Sequence, residues 1–228
     1  MLNATKKQMN YKMKVFAHFT RSLKSPLFGI FAITALTICY TTACNNNTTK
    51  EKLFTAEELA IINDTLSPIM KVYTIAGNTD SIVLRHKTTE FTPGELQSNE
   101  YRTLCKRMIR TVTDSTVDGV GIAGPQVGIS RRIIAVQRYD KPGAPFETYA
   151  NIYITEYSAE KETGREGCLS VPDKSGKVER SKQVIIEYTC PETLKIIRDT
   201  VQDYTARIFQ HETDHLEGIL YTDKLVAE

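Results

Sequence analysis

Residues 199–218, DTVQDYTARIFQHETDHLEG, decide the fold. Val201, Tyr204, Ile208, Phe209 and His215 recur at helical spacing, and Gly218 supplies a natural C-terminal stop. The pattern predicts a long final helix over 199–216. Within it, His211 and His215 stand four residues apart, one turn apart on one face, so both rings can reach one ion. Imidazole is a good ligand for Zn or Fe. Glu212, beside the first histidine, is placed to take a proton from a water that such an ion polarises. A solvated polar face has the same spacing, but two of the chain's four histidines fall in this one turn. The others, His18 and His86, have no such company and read as surface groups.

Working back along the chain, short β-branched segments at 133–136, 149–154, 184–186 and 194–197 predict strands separated by turns. Between 99 and 113, Tyr101, Leu104, Cys105, Met108, Ile109 and Val112 repeat at helical spacing, which makes Cys105 a core residue. Thr55 and Glu58 form a capping box for a short helix over about 55–66 that stops before Pro68. Ile82, Val83 and Leu84 lead into a loop around 91–94. There is no internal repeat and no second domain. Helix, strands, helix is the order of an α+β domain, with mostly antiparallel sheets packed around the C-terminal helix.

The paired histidines need a third ligand. Zinc proteases with this spacing use an acidic ligand well downstream or a histidine in HExxHxxGxxH. Gly218 fits the second pattern, but Tyr221 stands where its histidine belongs, and only 13 residues follow His215. The third ligand therefore comes from upstream. There lies EGCLSVP, 166–172, whose Cys168 reads as a thiolate ligand or as a free thiol. Earlier still is GVGIAGPQVG, 119–128. It lacks the spacing of nucleotide loops but suits close approach of backbone to an extended peptide. Gln126 within it is a neutral donor suited to a carbonyl oxygen.

Taken together, GVGIAGPQ (119–126), EGCLS (166–170) and QHETDHLEG (210–218) resemble the three ordered motifs of the peptide deformylase family, and the resemblance covers about 68–225. It implies a metal-dependent hydrolase that removes the N-formyl group from formyl-methionyl peptides or proteins and releases formate. By that resemblance Cys168, His211 and His215 are metal ligands and Glu212 is the general acid and base. Gln126 and the backbone N–H of Leu169 steady the oxyanion. Gly121 contributes backbone contacts to substrate, and the methionine pocket falls near Val120, Arg207 and Ile208. Glu166 is structural support beside the ligand cysteine, with Arg180 as a partner. The ion is Fe²⁺, with Zn²⁺ or Ni²⁺ as substitutes. Gly124 stands where the family usually has a second alanine, and Ile152 where it often has proline. Two other readings use the same residues. An exported HExxH metallopeptidase is disfavoured by Tyr221, and a non-catalytic formyl-peptide-binding lipoprotein by Glu212, since a binder needs no base.

The chain has 228 residues, 25% of them charged, with a formal net charge of +2 that is unevenly spread. Residues 1–44 hold six of the 29 basic groups and none of the 27 acidic ones, so the remainder carries a net −4. That balance excludes a phosphate-backbone partner, and no nucleic-acid binding is expected. Arg21 and Lys24 precede the apolar run PLFGIFAITALTICY, 26–40, in a signal-peptide layout. Thr41, Thr42 and Ala43 before Cys44 resemble a bacterial lipoprotein signal, with Thr41 in place of the usual leucine. An uncleaved signal anchor is the alternative, though the run is shorter than the roughly 20 residues that span a bilayer. Either Met1 or Met13 serves as the start. The expected organisation is a leader over 1–44, a tether over 45–54 and one catalytic domain over 55–228. The domain is then exported and held at a membrane by a lipid on Cys44 or by the leader itself. There it would meet formyl-peptides or exported proteins that escaped processing. Outside the cytoplasm a Cys105–Cys190 disulfide is one open pairing, Cys39 fills the apolar run, and Zn²⁺ gains weight over oxidation-prone Fe²⁺.

Overall fold

The computed structural model describes residues 54–227. The leader with Cys39 and Cys44, and the tether up to residue 53, lie outside the described residues. No helix among the described residues is long and apolar enough to cross a membrane.

The sequence explains the framework through one strand. β2 (Ile133–Gln137) carries IIAV, and its side chains alternate between two packed faces. Ile133 and Ala135 join Leu104, Met108 and Val112 of α4 (Asn99–Val112). Ile134 and Val136 join Ala206, Ile208 and Phe209 of α5 (Asp203–Leu216). A strand covered on both sides has no polar face, hence the unbroken apolar run. The five-stranded sheet has the order β1-β2-β3-β6-β7, all antiparallel. Its other members are β1 (Gly121–Ala123), β3 (Phe146–Tyr157), β6 (Gln183–Thr189) and β7 (Ile196–Gln202). A separate hairpin pairs β4 (Lys161–Cys168) with β5 (Val171–Ser181). It rests through Val171 and Val178 on Leu220 and Tyr221 at the C-terminus. The fold is thus α+β, with antiparallel sheets and a C-terminal helix.

Several boundaries differ from those expected from sequence. α1 (Ala56–Ile62) has the full capping box on Thr55 but stops short of Leu66, which is 97% exposed. The Asp64 side chain accepts from Leu66 N at 2.9 Å, and Arg107 draws the carbonyls of Ile62, Asp64 and Ser67, so the chain turns there. Residues 82–84 belong to a further helix, α2 (Asn78–Arg85), in which only Leu84 is fully buried. A one-turn α3 (Pro93–Leu96) is capped by Thr92. The final helix begins at Asp203, because residues 196–202 pair with β6. The strand expected over 194–197 is correspondingly displaced: Leu194 sits in the turn at φ 56°. The hairpin β4–β5 has no counterpart in the sequence expectation. Asn151 and Ile152 lie within the register shift between Ala150 and Tyr153, and Asn151, at φ 51°, accepts from Phe91 N and donates to Phe91 O. Phe54, the last residue assigned to the tether, is buried in the α1–α4 core. Cys105, Cys168 and Cys190 are all free, so the Cys105–Cys190 disulfide is not formed.

Candidate active site

The β4–β5 hairpin presents Cys168. β4 ends at Cys168 and β5 starts at Val171, so Leu169 and Ser170 make the connecting turn, and the ladder register shifts between Gly167 and Cys168. Backbone and side-chain donors fix the sulfur. Ser170 N lies 3.4 Å from Cys168 Sγ, and Gln126 Nε2 lies 3.7 Å from it. Gln126 is itself held, accepting from Ala123 N at 2.8 Å and donating to Ser170 Oγ at 3.2 Å. Gly124, which opens this turn, has no room for a side chain: a Cβ would lie 2.7 Å from the carbonyl oxygens of Ile129 and Arg131.

α5 brings the two imidazoles to the same point. His211 and His215 have ring centroids 5.1 Å apart, and His215 Nε2 lies 3.3 Å from Cys168 Sγ. One donor atom from each of Cys168, His211 and His215 lies within 4.8 Å of the others. Such a sulfur–nitrogen–nitrogen set with a fourth side open fits a catalytic divalent ion. Packing orients the candidate ligands. Glu166 Oε2 accepts from His211 Nδ1 at 3.0 Å, which leaves Nε2 of that ring for an ion.

Glu166 is the centre of a buried ion network. Its carboxylate accepts two bonds of 2.9 Å from Arg180 and one of 2.9 Å from Arg207, besides the one from His211. Arg180 continues to Asp214 at 2.5 Å, and Asp214 accepts from Lys224 at 2.6 Å. Burial alone would raise the Glu166 carboxyl, but hydrogen bonds from His211 and Arg180 outweigh it and hold it at about 2. The family resemblance implies the Arg180 partner. The second guanidinium, from Arg207, was not expected in this role.

These groups face a cavity of about 460 Å³. Gln126, Cys168, Leu169, His211 and Glu212 line its reactive end, whereas His215 lies behind them, fully buried. Gly121, Val120, Arg207 and Ile208 line the adjoining wall. Glu212 Oε2 is buried with no hydrogen-bond partner among the described residues, and burial pushes the carboxyl up to about 7. Gly121 is what lets β1 pass beside it, since a Cβ there would lie 2.5 Å from Glu212 Oε1. Among the described residues β1 pairs only with β2, at the edge of its sheet. Residues the sequence did not single out also contribute. Ser170 ties Gln126 to the Cys168 turn, and Tyr204 lines the cavity with its ring 5.4 Å from that of Tyr139. Tyr204 was recoverable from spacing, being seven residues before His211 on one helical face.

Comparison with known proteins shows the family. The family model for polypeptide deformylase matches residues 71–228. The chain is 38% identical over 146 residues to the peptide deformylase of Finegoldia magna, spanning 63% of this chain and 84% of that protein. Among solved structures it is similar to a class I type b peptide deformylase from Acinetobacter baumannii. The TM-score is 0.63 at 36% identity, covering 70% of this chain and all of the other. A structure of the Acinetobacter protein with Met-Ala-Ser bound is similar at a TM-score of 0.61 and 35% identity, covering 69% of this chain and 98% of the other.

Proposed function

The chain belongs to the polypeptide deformylase family and removes the N-formyl group from peptides by metal-dependent hydrolysis, and from that premise we propose how its own residues divide the work. Cys168, His211 and His215 hold the ion, Fe²⁺ foremost, with Zn²⁺ or Ni²⁺ as substitutes. When bound, such an ion supplies Lewis-acid polarisation and lowers the pKa of water toward about 7. Glu212 accepts the proton of the attacking water on its unpartnered Oε2 and passes it to the departing amine nitrogen. Gln126 Nε2 and the backbone N–H of Leu169 donate to the formyl oxygen as it gains charge. The free edge of β1 at Gly121 offers backbone groups to an extended peptide, and Val120, Ile208 and Arg207 receive its first side chain. The carrying observation is the convergence of one sulfur and two imidazoles beside a buried, unpaired carboxylate.

Formate release from a formyl-Met-Ala-Ser peptide tests this. The metal-replete protein is expected to release formate, chelation to abolish release, and added Fe²⁺ or Ni²⁺ to restore it. Cleavage of internal peptide bonds without formate would contradict the proposal.

The leader carries the second part. We place this deformylase outside the cytoplasm, tethered through a lipid on Cys44, on the strength of the cationic flank, the apolar run over 26–40 and the small residues before Cys44. Its substrates there are formyl-peptides and exported proteins that kept their formyl group. Mass spectrometry of membrane-extracted protein is expected to find a mature chain that begins at a diacylated Cys44. A chain retaining Met1 or Met13, with unmodified Cys44, would overturn it.

A further inference from the structure

We propose that the solvent face of α4, carrying Arg102, Lys106 and Arg110, lies against the anionic headgroups of the membrane that tethers the chain. The inference rests on the membrane-tethered reading and deepens it by naming the surface turned to the lipid.

The face is set by spacing. Arg102, Lys106 and Arg110 stand four residues apart and are all exposed, so they form one stripe roughly 12 Å long at about 1.5 Å per residue. Tyr101, Leu104, Met108 and Val112 on the opposite side are buried in the core. Asn99 and Thr103 flank the stripe without charge. Glu100, the only acid of the helix, lies about 160° around it from Arg102.

Charge balance sets this stripe apart. Elsewhere Lys71, Lys87, Lys141, Lys161, Lys182 and Lys224 each reach a carboxylate at 2.6–3.0 Å. Among the described residues Arg102, Lys106 and Arg110 take part in no salt bridge. Arg102 donates only to neutral oxygens, Gln97 O at 3.0 Å and Asn99 Oδ1 at 2.8 Å. The acids near the two ends are engaged. Asp114, close to Arg110, accepts from Thr116 at 2.6 Å, and Glu192, which shares a cleft with Arg102, accepts from Cys190 at 3.2 Å. The chain beyond residue 44 carries a net −4, so the stripe is a local reversal of sign.

That reversal and the entry of the chain select the occupant. A second copy docked face to face would bring like charges together, and a nucleic acid would meet the acidic remainder of the domain. A lipid surface meets only the face turned to it, and the chain brings that face near. The Phe54 ring packs on Phe91 at 6.0 Å, and Phe91 packs at 5.4 Å on Tyr101, the neighbour of Arg102. Cys44 stands ten residues before Phe54, a span of at most about 35 Å. An anionic lipid surface favours each Lys or Arg beside it about fivefold, so three favour contact by about 10²-fold at low salt.

The test reconstitutes the full chain, as extracted from membranes, into phosphatidylcholine vesicles with or without phosphatidylglycerol and floats them to remove unbound protein. Acetylation of Lys106 by a water-soluble reagent, read by mass spectrometry, is expected to slow at least about fivefold on the anionic vesicles. Lys182, at the other end of β6 from the cleft beside Arg102, should keep its rate on both. The protection should vanish at about 1 M salt, where screening leaves a reach of only about 3 Å. Arg102→Gln combined with Arg110→Gln keeps the reporter lysine and should return it to its rate on neutral vesicles, with formate release in detergent unchanged. Equal Lys106 rates on the two vesicles, or protection unmoved by salt or by the double variant, overturns the inference. So does equal protection of Lys106 by duplex DNA at the same phosphate concentration. The terminal mass of the same preparation keeps the two readings apart. Protection with an unmodified Cys44 overturns the lipid anchor alone. A diacylated Cys44 without protection overturns this inference alone, and a chain that floats with neither vesicle overturns both.

Discussion

Glu212→Ala lowers formate release by about 10²- to 10⁴-fold while the ion content stays at the wild-type level. The split follows from where the carboxylate sits. Cys168, His211 and His215 converge without it, and its Oε2 has no partner in the fold, so removing it takes away a proton acceptor and no ligand. Glu212→Gln, which keeps the shape against Gly121, should be equally slow, because an amide cannot accept the proton. Rapid-quench or coupled formate assays alongside metal analysis check both. Loss of the ion together with activity would place Glu212 among the ligands instead, and retention of activity would remove it from the mechanism.

Glu166→Ala should be the most damaging substitution for stability. Arg180 is 4% exposed and Arg207 8%, and both depend on this carboxylate. Breaking a buried pair by removing one partner costs about 3–5 kcal/mol, because the remaining charge is left uncompensated. His211 also loses the acceptor that orients its ring, which typically weakens metal affinity by about 10- to 100-fold. Denaturant unfolding and competition with a metal indicator measure the two effects separately. The wild type carries an acid signature as well. Its Glu166 carboxyl is held at about 2, below the ordinary value of 4.5, so its stabilisation is complete above 4.5 and is lost as pH falls toward 2. The alanine variant should lack that slope. A variant as stable as wild type, with unchanged metal affinity, would make the network dispensable.

The site was legible in the sequence because its chemistry constrains spacing. Two imidazoles on one helical face must stand three or four apart, and His211 and His215 do. Elimination left Cys168 open between a thiolate ligand and a free thiol, since nothing in EGCLS states which helix it will face, and only the resemblance implied the ligand role. The polar framework was not legible. β4 and β5 read KETGREGC and VPDKSGKVERS, and only Glu166 along β4 is fully buried, so no apolar alternation marks the hairpin. α2, NTDSIVLR, buries a single side chain against the rest of the chain. The β7–α5 boundary was blurred because Val201 and Tyr204 satisfy a helical stripe even though Val201 belongs to the strand. Arg207 was assigned to an apolar pocket by its place in the motif. Its partner Glu166 lies 41 residues away in sequence, and only the folded chain brings the two together.

X-ray absorption at the metal edge of the iron- or zinc-loaded protein tests the ligand set most directly. One sulfur and two imidazole nitrogens are expected in the first coordination sphere, at about 2.3 Å and 2.0–2.1 Å for zinc, with the sulfur contribution gone in Cys168→Ser. A sphere of nitrogen and oxygen alone in the unaltered protein would mean that Cys168 does not hold the ion, and the hydrolytic centre described for this chain would be wrong.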